Sequence, residues 1–375
     1  MAPLEHKEAD PRYFIESLDP DAGLSAIRHG IGFLMAKQNA DGSWGTSTPE
    51  SLYELNYSNA SFYAWKVAGG ALCVQTLLMV DETPERRAAL DKAVEYILAS
   101  EKPKRGNHWD IDNNWAALCV FSMLVDLAQD PRFQDPQWKT RIEARGKEYA
   151  QHLLEQQDPL GGWGYYEGPV ISRRPTWSTS FSTALVVPWL VTAKDRLGWP
   201  VDAPMTKRAI EYVGKCALPT GAYEYDLNPI PRVSGGEHIN DAKGSLSRIQ
   251  VCNFARRRAG DARITDEKLR EGLKQFFDDH RFLAVARATE FPHESWYRNA
   301  GYFYYFGHYF AARVINELPA GEREAWHAKL RAKIVPVQRE DGSSLDFPGS
   351  FYSYTYATSF ATMALQLGVG SKSPR

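Results

Sequence analysis

Several absences in the sequence exclude whole classes of protein. The 375 residues contain only four cysteines, which lie far apart without a C-x-x-C pair, so neither a structural zinc site nor a disulfide framework is expected. No apolar run is long enough to span a bilayer, and the start, MAPLEHKEAD, has no apolar stretch resembling a signal peptide. The formal net charge of -2 gives no electrostatic reason to bind nucleic acid or an anionic membrane surface.

These absences predict a cytoplasmic protein without a transmembrane segment. A removed signal peptide replaced by a cloning methionine would leave the same sequence, and the composition does not exclude peripheral contact with a membrane. What the sequence has in quantity is aromatic residues, at 13%, within a hydrophobic share of 43%. At 375 residues the chain exceeds the usual length of one domain, unless it is built from repeated units that pack on one another.

A helical repeat runs along the chain. The clearest amphipathic segments begin at Thr83 and Thr265, where an N-cap residue precedes apolar residues spaced on one helix face. Similar helices with a charged face are predicted from about residues 22, 84, 138, 204, 265 and 321. Between them lie segments rich in small and aromatic residues with few charges, at 57–80, 111–128, 176–193, 242–257, 298–316 and 350–367.

Six outer and six buried inner helices in alternation predict an all-α fold, an (α/α)6 barrel or toroid of six helical hairpins. No shift in composition breaks the series. We therefore expect residues 1–21 to form an N-terminal arm and residues 22–375 to form a single toroid domain.

Glycine-rich loops follow several outer helices, at residues 38–45 (QNADGSWG), 156–164 (QQDPLGGWG) and 338–343 (QREDGS). Glycine permits the turn after a helix, and the tryptophan that follows can pack between helix ends. These segments resemble the QW repeats of squalene–hopene cyclases, and residues 177–184 and 356–361 resemble that family's inner helices. The chain is thereby identified as a single-barrel member of the terpenoid cyclase/protein prenyltransferase superfamily, over essentially its whole length.

The resemblance implies an acid that protonates an alkene, the middle carboxylic acid of a D-x-D-D motif. The nearest match is Asp110-Ile111-Asp112-Asn113, where Asp112 would be the proton donor and Asp110 its neighbour, with asparagine in place of the last acid. Burial and a nearby carboxylate can keep such an acid protonated. The alternative interpretation is that Asp110 and Asp112 only cap the helix that follows. His308 is a further candidate for proton transfer.

An aromatic run at residues 302–310 (YFYYFGHYF) could line the barrel, together with other rings of the inner segments. Ring faces stabilise cations by about 0.5–2 kcal/mol each, which suits a carbocation reaction. Consecutive aromatics point all round a helix, however, so at most about half can face a cavity, and core packing is the alternative.

Polar and cationic residues cluster in the loops that enter the inner helices. If these helix starts share one rim, their groups converge there and could hold an anion such as a diphosphate or a uronate. The alternative is a solvated rim of paired charges. From the rings and the rim we predict these substrate-binding residues: Trp109, Asn113, Trp115, Arg173, Arg174, Trp177, Lys243, Arg248, His293, Tyr297, Arg298, Tyr305 and Tyr352.

The leading hypothesis is a terpenoid-cyclase-like enzyme that acts on an isoprenoid, either free or as a diphosphate, by acid-initiated carbocation chemistry. The alternatives are a carbohydrate-active toroid that cleaves or binds an acidic sugar, and a non-catalytic toroid that binds a ligand or partner. No cofactor is predicted, except that Mg²⁺ would accompany a diphosphate substrate. The zinc site of protein prenyltransferases is not expected, because the chain has no D-x-C and no His at ligand spacing from Cys252.

Overall fold

The structure is a computed structural model that describes residues 15–170, 175–228 and 237–369. This part of the chain is all-helical, with two isolated β-bridges and no strand. In chain order the helices are α1 (Pro20–Ala36), α2 (Asn59–Leu78), α3 (Pro84–Ala99), α4 (Asn113–Gln129), α5 (Pro136–Glu155), α6 (Ser180–Asp195), α7 (Ala203–Lys215), α8 (Leu246–Arg258), α9 (Asp266–Asp278), the short α10 (His280–Ala284), α11 (Phe303–Glu317), α12 (Ala320–Ile334) and α13 (Tyr354–Gln366).

The helices form two concentric rings. The inner ring runs α2, α4, α6, α8, α11 and α13, each packed against the next, and α13 packs back onto α2 to close it. Each remaining long helix packs outside the inner helix that precedes it, and α1 completes the set by packing against α13. The predicted toroid of six inner and six outer helices is thus confirmed. The first and last helices of the chain form one of the six pairs.

The amphipathic signals in the sequence correspond to real helix starts. Thr83 Oγ1 accepts a hydrogen bond from the backbone N–H of Arg86 at 3.2 Å, and Thr265 does the same for Lys268 at 3.2 Å. Inner helices such as α6 and α11 are instead buried on nearly all sides, which explains why they consist mostly of small, aliphatic and aromatic residues with few charges. No helix in the described ranges is both long enough and apolar enough to cross a membrane.

The glycine-rich loops tie neighbouring outer helices together through glutamine side chains. Gln38 Nε2 donates to the carbonyl oxygen of Gly42 in its own loop and to that of Ala89 in α3, at 3.1 and 2.8 Å. Gln157 links its loop to Met205 of α7 in the same way, and Gln338 links its loop to Ala26 of α1, as the hydrogen bonds show.

Two of these loops each contain a buried tryptophan, and in the first of them a glycine allows close contact with the next outer helix. Trp44 and Trp163 are fully buried, and each indole N–H donates to the backbone carbonyl oxygen ten residues earlier, at 2.7 and 2.8 Å. Gly42 has a φ of 89°, and a Cβ there would collide with the carbonyl group of Lys92 in α3. Only glycine therefore lets the loop approach the next helix this closely.

Candidate active site

A cavity opens into the barrel where the inner helices begin. The space inside it that a water-sized sphere can reach is about 210 Å³. Eleven of its fifteen lining residues are Phe, Tyr or Trp, contributed by the starts of α2, α4, α6, α11 and α13 and by their loops. They are Tyr57, Trp65, Trp115, Tyr165, Phe181, Tyr302, Phe303, Phe306, Tyr352, Tyr356 and Phe360. The other four are Ile111, Asp112, Pro292 and His293.

Among the described residues that line this cavity, Asp112 is the one carboxylic acid. It occupies the N-cap position of α4, but its backbone is left-handed, with φ 62° and ψ 7°, and its side chain makes no capping bond. A left-handed backbone at a residue other than glycine costs on the order of 1 kcal/mol and needs support from its surroundings. The carboxyl group is thereby turned into the cavity, which the capping interpretation of the sequence did not predict.

The indole of Trp65 holds the carboxyl group of Asp112. Trp65 Nε1 donates to Asp112 Oδ2 at 2.6 Å. Burial raises the pKa of Asp112 to about 6, although the bond from Trp65 acts in the opposite direction. Because Oδ2 accepts this hydrogen bond, the proton of the neutral acid belongs on Oδ1. Asp112 therefore combines a raised pKa with a proton placed away from its hydrogen-bonding partner.

Trp65 is itself fixed by stacking. Its ring lies on that of Tyr352 with centroids 3.8 Å apart and an interplanar angle of 13°, and Tyr57 meets it edge-on at 5.0 Å. Trp65 did not figure among the predicted site residues. The available signal was a tryptophan inside an inner segment with few charges, since a buried indole N–H requires an acceptor.

The other two polar residues of the D-x-D-N segment lie outside the cavity lining. Asp110 is buried in the preceding loop, where Oδ2 accepts from the backbone N–H groups of Gly106 and Asn107 at 2.7 and 2.8 Å. Asn113 is buried too, and its Oδ1 accepts from the N–H of Glu167 at 3.2 Å. Asp110 therefore shapes the loop and is not the carboxylate neighbour of Asp112 that the resemblance implied. The asparagine in place of the motif's last acid is likewise not among the lining residues.

His308 is not part of the cavity wall. It is fully buried on the outer side of α11, with its Nε2 3.0 Å from Nε2 of His280 and its Nδ1 2.7 Å from the carbonyl oxygen of Tyr304. Burial lowers the pKa of His308 to about 3. The predicted role in proton transfer to a substrate is corrected by this placement, because the imidazole has no face on the cavity.

The aromatic run of α11 divides according to helical phase. Tyr302, Phe303 and Phe306 line the cavity, whereas Tyr305 is fully buried behind the wall and accepts a hydrogen bond from Arg287 at 3.1 Å. The predicted contact between Tyr305 and substrate is therefore corrected. Residues three and four positions apart share a helix face, as Phe303 and Tyr302 do with Phe306, and this face points inward.

Among the other predicted ring contacts, Trp115 and Tyr352 line the cavity, but three do not. Trp109 is 77% exposed at the surface. Trp177 lies behind the wall, stacked on Tyr166, and donates from Nε1 to Asp226 at 3.0 Å. Tyr297 is also outside the lining, where its ring packs against Phe282.

The predicted cations do not converge on the cavity wall. Arg248 is 1% exposed and donates to the carbonyl oxygens of Tyr223 and Ile239, because burial leaves the guanidinium only backbone acceptors and ring faces. Burial lowers its pKa to about 10. Lys243 lies over the rings of Phe282 and Tyr297, at 4.9 and 5.5 Å. Two further predicted residues, Arg173 and Arg174, lie outside the described residues.

His293 is the predicted rim residue that does reach the cavity. Arg298, predicted beside it, is exposed and presents its backbone carbonyl oxygen to His293 Nδ1 at 2.8 Å. Burial lowers the pKa of His293, as do the charges of Arg248 and Arg298, so the imidazole is neutral at neutral pH.

A second buried carboxyl group, which the sequence interpretation missed, lies close to the cavity. Asp346 is 1% exposed, and burial raises its pKa to about 7, although Tyr356 and the charge of Arg287 act in the opposite direction. It does not belong to the cavity lining. In the described ranges, no group of three or more His, Cys, Asp or Glu could hold a metal ion.

No family model matches the sequence. The chain is 27% identical over 215 residues to drimenyl diphosphate synthase from Streptomyces showdoensis, an alignment that covers 56% of this chain and 34% of that protein. The chain thus spans about a third of the length of this curated relative.

Solved structures show the same all-helical toroid. The type II terpene cyclase MstE from Scytonema superposes with a TM-score of 0.52 at 14% identity, over 94% of this chain and 99% of that one. The GH76A α-1,6-mannanase of Salegentibacter sp. HEL1_6 superposes with a TM-score of 0.60 at 10% identity, over 93% and 99%. At these identities the likeness establishes the fold, which is terpenoid-cyclase-like and is also used by glycosidases.

Proposed function

We propose that this chain cyclises an isoprenoid inside the aromatic cavity, and that Asp112 starts the reaction by protonating a carbon–carbon double bond. The observation that carries the proposal is that, in the described part of the chain, a single carboxylic acid lines a wall made otherwise almost entirely of aromatic rings. The similarity to drimenyl diphosphate synthase and to a type II terpene cyclase supports it.

The wall suits the cation that protonation creates. Ring faces stabilise a cation by about 0.5–2 kcal/mol each, and they present no strong nucleophile to capture it. An apolar chain also excludes water on binding, which favours the neutral form of Asp112 further. The acid is therefore protonated before the reaction and ionised after it, next to the cation that it has produced.

A sugar substrate fits the same wall poorly. Glycoside hydrolysis typically requires two carboxyl groups flanking the scissile bond, whereas Asp112 supplies the one carboxyl group found among the lining residues that the structure describes. We therefore do not extend the activities of the glycosidase neighbours to this chain.

The finer part of the proposal is that the isoprenoid carries a diphosphate, accompanied by Mg²⁺. The name of the Streptomyces relative supports this choice. Geranyl, farnesyl and geranylgeranyl diphosphates, compared with the corresponding alcohols, separate the requirement for the anion from the requirement for the chain. Each pair is assayed with Mg²⁺ and with a chelator.

The decisive variant is Asp112→Asn, with Asp110→Asn as the matched control from the same segment. We expect cyclised product, detected by mass spectrometry after phosphatase treatment, from the parent and from Asp110→Asn, and none from Asp112→Asn at an unchanged melting temperature. In D₂O the parent product should gain one deuterium. An unchanged yield from Asp112→Asn, or no product from the parent with any member of the panel, would overturn the proposal.

A further inference from the structure

The cavity contains a tyrosine–histidine pair that the proposed protonation does not use. Tyr302 and His293 both line it, and the Tyr302 hydroxyl lies 2.9 Å from His293 Nε2. On the other side of the imidazole, Nδ1 lies 2.8 Å from the carbonyl oxygen of Arg298. A carbonyl oxygen can only accept, so Nδ1 carries the ring proton and Nε2 of the neutral imidazole is an acceptor.

The tautomer fixes the direction of the neighbouring hydrogen bonds. Tyr302 donates its hydroxyl proton to His293 Nε2, which leaves the lone pairs of the Tyr302 oxygen free to accept. The Tyr225 hydroxyl lies 3.3 Å from that oxygen and, by elimination, donates to it. The pair is thus arranged as a relay that can receive a proton at Tyr302 and deliver one to His293.

The backbone supports this arrangement at a cost. His293 has a φ of 70°, a left-handed conformation that residues other than glycine seldom adopt. Such strain, held in place by surrounding contacts, is found preferentially at functional sites. Here it directs the imidazole to the Tyr302 hydroxyl and the ring N–H to Arg298.

We infer that Tyr302 and His293 are the base that ends the reaction by removing a proton from the final carbocation. The inference rests on the proposed function and adds the second half of its chemistry. A C–H bond next to the cationic carbon breaks, and its electron pair forms the new C=C bond. The proton passes to the Tyr302 oxygen as the hydroxyl proton of Tyr302 passes to His293 Nε2. The imidazolium is stabilised by the Arg298 carbonyl oxygen and later returns its proton to solvent.

The environments of the two groups fit opposite tasks. Asp112 and His293 lie on one cavity, and burial favours the neutral form of both, which for the carboxyl group is the acid and for the imidazole is the base. When the environments of two groups in one site favour proton donation by one and proton acceptance by the other, the two groups can be assigned as acid and base. A cavity that cyclises its substrate needs both an acid and a base, since without a base the cation persists until it reacts with water or loses a proton to another acceptor.

The test uses Tyr302→Phe and His293→Asn, because asparagine tolerates a left-handed backbone. Tyr305→Phe is the matched control, since it removes another buried hydroxyl of α11 outside the cavity lining. We expect both test variants to consume substrate at near the parent rate. The share of the parent product should fall about a hundredfold, the scale of a lost general base, in favour of alcohols or isomeric alkenes.

The outcomes separate this inference from the proposed function. No product from the parent overturns the proposed function and, with it, the base. A productive parent whose product distribution survives in Tyr302→Phe and His293→Asn overturns the base alone. Loss of all substrate consumption in both folded variants, with Tyr305→Phe unaffected, also overturns it, because the pair would then act before the cation forms.

Discussion

Trp65 and Asp112, which come from neighbouring inner helices, are joined by a hydrogen bond of 2.6 Å from the indole N–H to the carboxyl group. The bond leaves one carboxyl oxygen for the proton and the other for the tryptophan. It also opposes the effect of burial on the pKa of Asp112, which is raised to about 6. The strength of the acid is therefore set by two residues that are 47 positions apart.

Replacing Trp65 by phenylalanine should raise the pKa of Asp112. Trp65→Phe keeps a ring to stack on Tyr352 but removes the donor that lowers the pKa of Asp112. We expect the pH at which kcat/KM declines to rise by about one to two units, since a hydrogen bond to a charged group contributes roughly 1.5–3 kcal/mol. Trp115→Phe, also in the lining, is the control and should leave that pH unchanged. A shift to lower pH would contradict the assigned role.

The parent enzyme should lose activity as the pH rises. Only the protonated form of Asp112 can donate, and its pKa is about 6, so kcat/KM should be level below this value and fall about tenfold per pH unit above it. His293 does not impose the opposite limit near neutrality, because its pKa is lowered from 6.5. The measurement is a pH–rate profile with a prenyl substrate. A rate that increases from pH 6 to pH 8 would argue against an acid at Asp112.

Phe306 should contribute to cation stabilisation through its ring. It packs 5.8 Å from both Trp115 and Phe360 across the cavity wall, between centroids. Phe306→Leu keeps the apolar surface but removes the ring face, which is worth about 0.5–2 kcal/mol, so turnover should fall roughly two- to thirtyfold. Phe121→Leu, a buried ring of α4 outside the lining, should affect stability and not turnover. Equal turnover by Phe306→Leu and parent would mean that the ring is only filling space.

Gln338 should stabilise the closed ring. Its side chain donates to Gly342 in its own loop and to Ala26 in α1, at 3.0 and 2.9 Å. Gln338→Ala removes both bonds, and we expect the free energy of unfolding, measured by urea titration, to fall by about 1–3 kcal/mol. Gln134→Ala is the control, since that exposed side chain bonds only to nearby carbonyl groups. Comparable losses in the two variants would show that the link between helices adds nothing.

Periodicity in the sequence was sufficient to predict the fold. The helix starts at Thr83 and Thr265 could be predicted because an N-cap residue bonds to backbone N–H groups only two or three positions away. The low charge of most inner segments reflected their burial on most sides, and the starts of these segments proved to be where the cavity lies. N-caps, periodicity and segment composition depend only on residues close together in the chain, so a single sequence is enough to read them.

The partners of the site residues could not be predicted, because they depend on contacts between distant segments. Asp112 stood out through its motif, but the bond that holds it comes from another helix. His308 and Tyr305 belonged to the same aromatic run as Tyr302, and only the rotation of α11 shows which of them faces inward. Arg248 resembled a rim cation because nothing in the sequence indicated the carbonyl groups that hold it behind the wall.

The pairing of α1 with α13 has a consequence for how the protein is made. Three rings of the cavity wall, Tyr352, Tyr356 and Phe360, come from the start of the last helix or just before it. During translation the ring of helices therefore stays open, with aromatic residues at the gap, until these three residues have left the ribosome. Such a gap exposes apolar surface to other nascent chains, and a need for chaperones should be greatest in the seconds before α13 emerges and docks.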